Sequence, residues 1–191
     1  STKLNILRKL IKKVDTIIIG GGIANTFLIS LDYSIGKSLV ENNMINDTKE
    51  IINLAKENNV SIPIPEDVLC ENSANVKNKN INEVDVGDVI KDIGPKTSRI
   101  YKKFIEEAGT ILWNGPVGMF ENTLFENGTK EIAFSIGESK ALTIAGGGDT
   151  ISAIEKFIDI KKIDYVSTGG GAFLEFLENN ELPGINIIKK L

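Results

Sequence analysis

The chain has 191 residues, of which 41% are hydrophobic, and a formal net charge of −4, so it can bury a substantial core in one domain and is poorly suited to nucleic acid as its main partner. It contains no histidine, which excludes Ser-His-Asp triads and almost every common zinc site, and one cysteine, which excludes an internal disulfide. No stretch of about 18 apolar residues occurs, and we therefore expect a soluble, unexported, cytoplasmic protein that does not span a membrane.

Hydrophobic periodicity predicts helices and strands that alternate from one end of the chain to the other. Residues 2–14 place apolar side chains on one helical stripe, and the apolar run at 16–19 is typical of a strand buried in a parallel sheet. Pro95 indicates a helix start, because proline is favoured at the first helical position. In chain order, the predicted elements are a helix at 2–14, a strand at 16–19, helices at 23–31 and 48–58, a strand at 61–65, a helix at 95–108, a strand at 110–113, a loop and helix within 123–137, a strand at 142–145, a helix at 149–157, a strand at 165–167 and a helix at 172–178.

This alternation predicts an α/β fold of three layers, α/β/α, around a mostly parallel, Rossmann-like sheet of about six strands. Residues 71–91, rich in Asn, Asp and Lys, are the least periodic part, and there we expect loops and short extended pieces. The carboxyl ends of parallel strands lie at one edge of the sheet, and ligands bind at that edge. The turns that directly follow the predicted strands are therefore the candidate site.

Nine of the 18 glycines form three triplets, each between a predicted strand and a predicted helix. The triplets occupy residues 20–22, 146–148 and 169–171, and the turn WNGPVG at 113–118 ends a fourth strand. Glycine lets a ligand approach the backbone, and the first N–H groups and the dipole of a helix favour an anion. The alternative is that glycine only permits tight packing of helix on strand. We expect the four turns to converge, which favours phosphate or a nucleotide as the ligand.

Two familiar phosphate-binding motifs are absent. A dinucleotide fingerprint needs glycine or alanine at its sixth position, and the residues there are Asn25, Ile151 and Leu174. The IGKSL segment at 35–39 resembles the end of a P-loop, but the glycine required at the start of that motif is replaced by Leu31. An NAD-dependent oxidoreductase domain is therefore disfavoured, and titration with NADH tests it.

Polar residues beside these turns carry the candidate chemistry. Asp149, directly after the second triplet, is either the N-cap of a helix or a ligand of Mg²⁺, which binds with nucleotides through one or two protein carboxylates. Asn114 offers amide donors to a phosphate, and Glu121 offers acceptors to ribose hydroxyls. Cys70 has no histidine partner in the chain, and we expect it to be a small buried apolar residue.

Taken in order along the chain, the motifs resemble those of phosphoglycerate kinase, and the match covers essentially the whole chain. They are KLNILRKLIKKVDTIIIGGGIANTFL, IGKSL, DIGPKT, ILWNGPVGMFE, IAGGGDT and STGGGAFLEFLE followed by ELPG. The similarity is to the C-terminal half of that family, so residues 1–191 are expected to form its nucleotide-binding domain without the N-terminal substrate domain. It implies reversible phosphoryl transfer between 1,3-bisphosphoglycerate and ADP, giving 3-phosphoglycerate and ATP, with Mg²⁺ on the nucleotide.

The resemblance also implies roles for single residues. Lys3 contacts the nucleotide phosphates, and Gly21 and Gly22 line the adenine site, with Leu39 and Lys91 close by, although the family usually has an apolar residue in place of the lysine. Farther along, Asn114 lies near the phosphates, Pro116 and Met119 border the nucleoside, Glu121 takes the ribose, and Gly146, Gly147, Gly148, Asp149 and Thr150 hold phosphate and metal. The residues implied to act on the transferring phosphoryl group are Gly147, Gly148, Gly169, Gly170 and Gly171.

The chemistry of the implied reaction is compatible with a chain that lacks histidine. Phosphoryl transfer needs positioning and charge neutralisation more than covalent catalysis, and a carboxylate acceptor is already ionised at neutral pH. We expect a monomer that binds ATP or ADP, meets 1,3-bisphosphoglycerate or 3-phosphoglycerate through the N-terminal half, and is inactive without that half. The competing interpretation is a non-catalytic nucleotide-binding module on the same sheet.

Overall fold

The structure is a computed structural model that describes residues 2–169, with side chains from residue 6 onward. The helix expected at 172–178 therefore lies outside the described residues. The helices are α1 (Thr2–Leu10), α2 (Gly21–Ser30), α3 (Ile45–Glu57), α4 (Pro95–Glu107), α5 (Asn127–Gly137) and α6 (Gly148–Phe157). The strands are β1 (Asp67–Asn72), β2 (Asn75–Asn80), β3 (Val89–Ile93), β4 (Thr110–Trp113), β5 (Leu142–Gly146) and β6 (Tyr165–Ser167).

Strands β4, β5 and β6 form a parallel sheet in that order. The register pairs Trp113 with Ala145 and Gly146 with Ser167, so the three strands end at one edge. The mixed α/β fold with a parallel sheet is as predicted. The predicted sheet size of about six strands is wrong for the described part of the chain, where the parallel sheet has three strands.

The segments at 16–19 and 61–65, predicted as strands, run side by side without forming a regular ladder. The bridge between them pairs Thr16 with Ser61 in parallel. Two of the four residues that follow Ser61 are prolines, which have no N–H to donate to a neighbouring strand. The pairing therefore stops after the first bridge, and this accounts for part of the difference in strand number.

The residues at 71–91 belong largely to an antiparallel sheet of order β2-β1-β3, where the sequence predicts loops and short extended pieces. Ser73 and Ala74, with φ of 48° and 65°, form the two-residue turn between β1 and β2. Most side chains of β2 are exposed, so its sequence NVKNKN lacks the apolar alternation that marks a half-buried strand. The backbone pairing with β1 makes this segment a strand, and hydrophobic periodicity does not reveal such pairing.

Helices cover both faces of the apolar run at 16–19, which gives the three predicted layers. Ile17 and Ile19 lie in one buried cluster with Phe27 of α2 and Ile51 of α3. Ile18, between them in sequence, packs against a second cluster that α4, α5 and α6 form with Trp113 and Ala145 of the parallel sheet. Burial on both faces explains why this run is continuously apolar.

The start of α4 is held by Asp67, which projects from β1. Its buried carboxylate accepts hydrogen bonds from the backbone N–H groups of Lys96 (3.1 Å) and Thr97 (2.8 Å) and from Asn78 Nδ2 (3.1 Å). Burial alone would raise the pKa of Asp67, but these hydrogen bonds outweigh it and the pKa is lowered. An acidic residue on a neighbouring strand thus accepts the hydrogen bonds that an N-cap side chain would otherwise accept from the first turn of the helix.

Candidate functional site

The candidate site is organised around residues 114–121, termed the central loop, which follow β4 at the carboxyl edge of the parallel sheet. Trp113 Nε1 donates a hydrogen bond of 2.9 Å to the carbonyl of Gly115, which closes the turn directly after the strand. Gly115 has φ of 101°, a conformation that favours glycine. The loop is therefore anchored to the end of β4 by its own first residues.

The first glycine corner, residues 20–22, packs directly on the central loop. The N–H of Gly21 donates to the carbonyl of Val117 at 3.1 Å. A Cβ atom at Gly20 would lie 2.5 Å from Val117 Cα, so any larger residue at position 20 would push the loop away. At this corner glycine therefore permits close packing of the helix start on the central loop, as the alternative explanation of the triplets holds.

The second glycine corner, residues 146–148, meets the same loop through two hydrogen bonds. Asn114 Nδ2 donates to the carbonyl of Gly146 at 2.7 Å, and the N–H of Gly115 donates to Thr150 Oγ1 at 2.7 Å. Gly147, with φ of 99°, is the N-cap of α6. The first intrahelical bond is donated by Ile151, so the amides of residues 148–150 have no partner within the helix.

The third corner begins beside the second. The pairing of Gly146 with Ser167 places Thr168 and Gly169 next to the start of α6 at the same sheet edge. Gly170 and Gly171 lie outside the described residues. The first two corners are thus brought together by one loop, and the third strand ends at their side.

Asp149 lies in the first turn of α6 but is not its N-cap. The N-cap is Gly147, and no side chain makes a capping hydrogen bond there. The Asp149 carboxylate is exposed and makes no hydrogen bond or ion pair with any described residue. The structure therefore contradicts the capping interpretation and leaves an exposed carboxylate beside the amides of residues 148–150, which have no partner within the helix.

The residues expected at the adenine site include Leu39, which lies beside the first corner. A Cβ atom at Gly22 would lie 3.3 Å from the side chain of Leu39, so the two positions are in contact. The backbone at Leu39 is held by Asn25, whose Nδ2 donates to its carbonyl at 3.0 Å. Leu39 itself is 76% exposed, which leaves an apolar side chain available beside the glycines.

The far end of the central loop is fixed to β3. The N–H of Met119 donates to the carbonyl of Lys91 at 2.8 Å, and the Lys91 ammonium lies 3.6 Å from Glu71. Pro116 is half-buried, whereas Met119 and Glu121 are exposed. Lys91 thus contacts this site through its backbone, with its charge directed to a carboxylate of β1.

Two residues that contact the central loop, Thr129 and Asp92, have no role predicted from the sequence. Thr129 Oγ1 accepts hydrogen bonds from the N–H groups of Val117 and Gly118, each at 3.3 Å. Asp92, 2% exposed, accepts from the N–H of Gly128 at 2.7 Å, and there is no room for a side chain at Gly118 beside it. The sequence signal was present, since the DIGPKT motif contains Asp92, but spacing alone does not reveal what it contacts.

Burial raises the pKa of Asp92 to about 7, although hydrogen bonds from the N–H groups of Gly128 and Ile93 act in the opposite direction. The carboxylate therefore titrates near neutral pH underneath the loop.

Lys3 lies in α1, where the structure describes the helix but not the Lys3 side chain. The helix is attached to α3 by Arg8, whose guanidinium lies 2.6 Å from Asp47 and 2.7 Å from Glu50. The predicted contact of Lys3 with phosphate stays a prediction.

The described residues fit Mg²⁺ that arrives with a nucleotide. They contain no group of three or more His, Cys, Asp or Glu residues able to hold a metal ion by themselves. Asp149 supplies one exposed carboxylate next to the anion-favouring start of α6. A single carboxylate completed by phosphate and water is the usual arrangement for Mg²⁺ bound with nucleotides.

A three-layer α/β domain whose glycine-rich turns meet at the carboxyl edge of a parallel sheet belongs to the class of proteins that bind ligands at that edge. Within the described part of the chain, no helix is long and apolar enough to span a membrane. The family model for phosphoglycerate kinase matches residues 1–180. The chain belongs to the phosphoglycerate kinase family.

Individual relatives agree with this assignment. The phosphoglycerate kinase of Francisella philomiragia subsp. philomiragia is 50% identical over 196 residues, which cover 100% of this chain and 50% of that protein. A solved phosphoglycerate kinase from Coxiella burnetii superimposes with a TM-score of 0.94 at 48% identity, covering 99% of this chain and 50% of that one. The enzyme from Pyrococcus horikoshii gives a TM-score of 0.78 at 27% identity, with 98% and 49% covered. The chain spans about half the length of the relatives it matches.

Proposed function

We propose that this chain supplies the Mg²⁺-nucleotide site of a phosphoglycerate kinase, which transfers a phosphoryl group reversibly between 1,3-bisphosphoglycerate and ADP to give 3-phosphoglycerate and ATP. The observation that carries the proposal is the shared central loop: Asn114 bonds to Gly146 of the second glycine corner, Gly115 bonds to Thr150 in the first turn of α6, and Val117 bonds to Gly21 of the first corner. The N-termini of α2 and α6, both favourable to anions, therefore flank one loop.

The phosphate end of the site is assigned to the start of α6. The amides of Gly148, Asp149 and Thr150 point out of the helix without intrahelical partners, and Asn114 retains a second amide hydrogen beyond the one that Gly146 accepts. Lys3 adds a positive charge to this end. Bound Mg²⁺ would neutralise negative charge on the nucleotide phosphates, and the Asp149 carboxylate would hold it.

The nucleoside end is assigned to the first corner and the central loop. Gly21 and Gly22 would admit the adenine ring close to the backbone, and the exposed side chain of Leu39 would cover it. Pro116 and Met119 would border the nucleoside. Glu121, which is exposed and lies at the end of the loop, would accept hydrogen bonds from the ribose hydroxyls.

In the proposed reaction an oxygen of the ADP β-phosphate attacks the acyl phosphate phosphorus of 1,3-bisphosphoglycerate. The bond between that phosphorus and the carboxyl oxygen breaks, and 3-phosphoglycerate leaves as a carboxylate, so no proton has to be moved and no general base is needed. The amides of Gly147, Gly148, Gly169, Gly170 and Gly171 are assigned to the transferring group. The glycerate substrate is assigned to the other half of the enzyme, and the protein to the cytoplasm as a monomer.

Calorimetric titration of the 191-residue chain with Mg·ADP and with Mg·ATP tests the nucleotide site. We expect saturable binding with a Kd below about 1 mM, in the range of typical substrate affinities, and no binding of NADH. Absence of affinity for either nucleotide would overturn the proposal. In a coupled assay we expect turnover only when the N-terminal half is present; an intact protein that binds nucleotide without turnover would favour the non-catalytic module instead.

A further inference from the structure

Helix α6 touches the central loop at two points, near its start and near its end. Thr150 Oγ1 accepts a hydrogen bond of 2.7 Å from the N–H of Gly115, and Lys156 Nζ donates one of 2.7 Å to the carbonyl of Phe120. The two helix residues are six positions apart, which corresponds to about 9 Å along the axis. The helix therefore sets the distance between Gly115 and Phe120 of the central loop.

The Lys156 ammonium is held in place by more than its bond to the loop. It lies 2.7 Å from a carboxylate oxygen of Glu126, which is the residue before α5, and 5.2 Å from the ring centroid of Phe157. The rings of Phe157 and Phe120 pack edge to face, with centroids 6.3 Å apart. The Glu126 side chain is 18% exposed and that of Lys156 is 35% exposed, so one partner of this ion pair is largely buried and the other remains partly in contact with water.

We propose that Lys156 is a positioning residue for the nucleotide site, and that it acts by fixing the backbone at Phe120 so that the next residue, Glu121, is aligned with the ribose hydroxyls. The inference rests on the proposed function of the site. Because the opposite end of α6 carries Asp149 and Thr150, the helix sets the distance between the phosphate contacts and the ribose contact. A lysine in the last turn of α6 thereby determines selectivity for the sugar.

The test compares Mg·ATP with Mg·2′,3′-dideoxy-ATP, which has the same base and phosphates but no ribose hydroxyls. On the intact protein, Lys156→Met is expected to weaken ATP binding about tenfold, since a hydrogen bond to a charged group is lost at the ribose. The affinity for dideoxy-ATP is expected to change less than about twofold. Lys156→Arg, which keeps a cation able to reach both oxygens, is expected to restore the preference for ATP.

Two further variants serve as controls. Lys162→Met removes another lysine that pairs with a glutamate, Glu138, on the surface away from the central loop, and it is expected to leave both affinities unchanged. Glu126→Gln keeps Lys156 but removes its ionic partner, and it is expected to reduce the preference for ATP about threefold. It gives a second measurement should Lys156→Met fail to fold.

Each possible outcome either supports or overturns the inference about Lys156. Loss of affinity for ATP alone supports the inference, and an equal loss for both ligands, or no loss, overturns it. A wild-type protein that binds ATP and dideoxy-ATP equally would overturn the role of Glu121 and this inference while leaving the phosphate site intact. A wild-type protein that binds neither ligand would overturn the proposed function itself.

Discussion

The side-chain hydroxyl of Tyr101 in α4 lies 3.0 Å from the backbone carbonyl of Ile19, 82 residues earlier in the chain. The same hydroxyl lies 3.3 Å from the carbonyl of Pro63. It therefore links the two apolar segments that the prolines at 63 and 65 keep from forming a regular ladder. Tyr101 is fully buried, and Ile19 directly precedes the first glycine corner, so this contact supports the backbone that leads into the candidate site.

Replacing Tyr101 by Phe removes the hydroxyl while keeping the ring. We expect the free energy of unfolding to fall by about 1–3 kcal/mol, because the carbonyls of Ile19 and Pro63 lose a buried donor. Urea denaturation measures this change. Tyr165→Phe is the matched control, since Tyr165 is 61% exposed and its hydroxyl has access to water. Equal stabilities for the two variants would show that the Tyr101 contact contributes nothing.

Replacing Asp149 by Ala separates the metal interpretation from a purely structural one. The carboxylate caps nothing and is exposed, so its contribution to stability is limited to the helix dipole and the melting temperature should fall by less than about 4 °C. The affinity for Mg·ADP should fall about tenfold or more, because a charged ligand of the metal is lost.

Calorimetry and thermal unfolding of the same samples provide the two measurements for Asp149. Asp149→Asn is a useful companion, since it keeps the size of the side chain and removes only its charge; it should bind Mg·ADP as poorly as Asp149→Ala. A large drop in melting temperature with unchanged affinity would restore the structural interpretation.

Local spacing was sufficient to predict the glycine corners, because strand, glycines and helix follow one another within a few residues. The WNGPVG turn was placed at the same edge, but the hydrogen bonds that join it to two of those corners could not be predicted in this way. Asn114 and Gly146 are 32 residues apart, and Gly115 and Thr150 are 35 apart, and no periodicity encodes a contact between them. Parallel-sheet geometry predicted the shared edge, and the structure adds the bonds that hold it.

The residues that the sequence did not reveal act through tertiary contacts. In the sequence, Lys156 is a basic residue in the last turn of a helix, a position where the helix dipole commonly favours positive charge. Its hydrogen bond to the carbonyl of Phe120 depends on the tertiary structure and could not be predicted from the sequence. The hairpin of β1 and β2 was missed for a different reason, since its exposed Asn and Lys side chains give no apolar alternation. The predicted number of strands in the parallel sheet exceeds the three found in the described part of the chain, because apolar runs report burial but not whether a partner can donate hydrogen bonds.

The buried carboxylate of Asp92 predicts a pH dependence of stability. Its pKa of about 7 in the folded protein lies above its ordinary value of 3.8. A raised pKa means that the folded state binds the proton more tightly, so the stabilisation by protonated Asp92 is complete below about pH 4 and is lost as the pH rises to about 7. Relative to Asp92→Asn, wild-type stability should decrease over this range by up to about 4 kcal/mol.

Urea denaturation of wild type and Asp92→Asn at several pH values between about 4 and 8 measures that difference. The variant supplies its own control, because every other titrating group is common to both proteins. A difference that stays constant over the range would mean that Asp92 is already ionised in the folded protein at low pH.

The thiol of Cys70 is expected to be inert in the folded protein. It is 1% exposed, and burial, together with the charge of Asp88, raises its pKa to about 11. Alkylation by iodoacetamide at pH 8 should therefore be at least about 100-fold slower in the native protein than in the urea-unfolded chain, where the thiolate forms readily. Mass spectrometry of timed samples gives both rates. Cys70→Ser keeps the size of the side chain but places a hydroxyl in the apolar cluster, and it serves as the control that cannot be alkylated. Similar alkylation rates in the native and unfolded states would show that strand β1 opens readily.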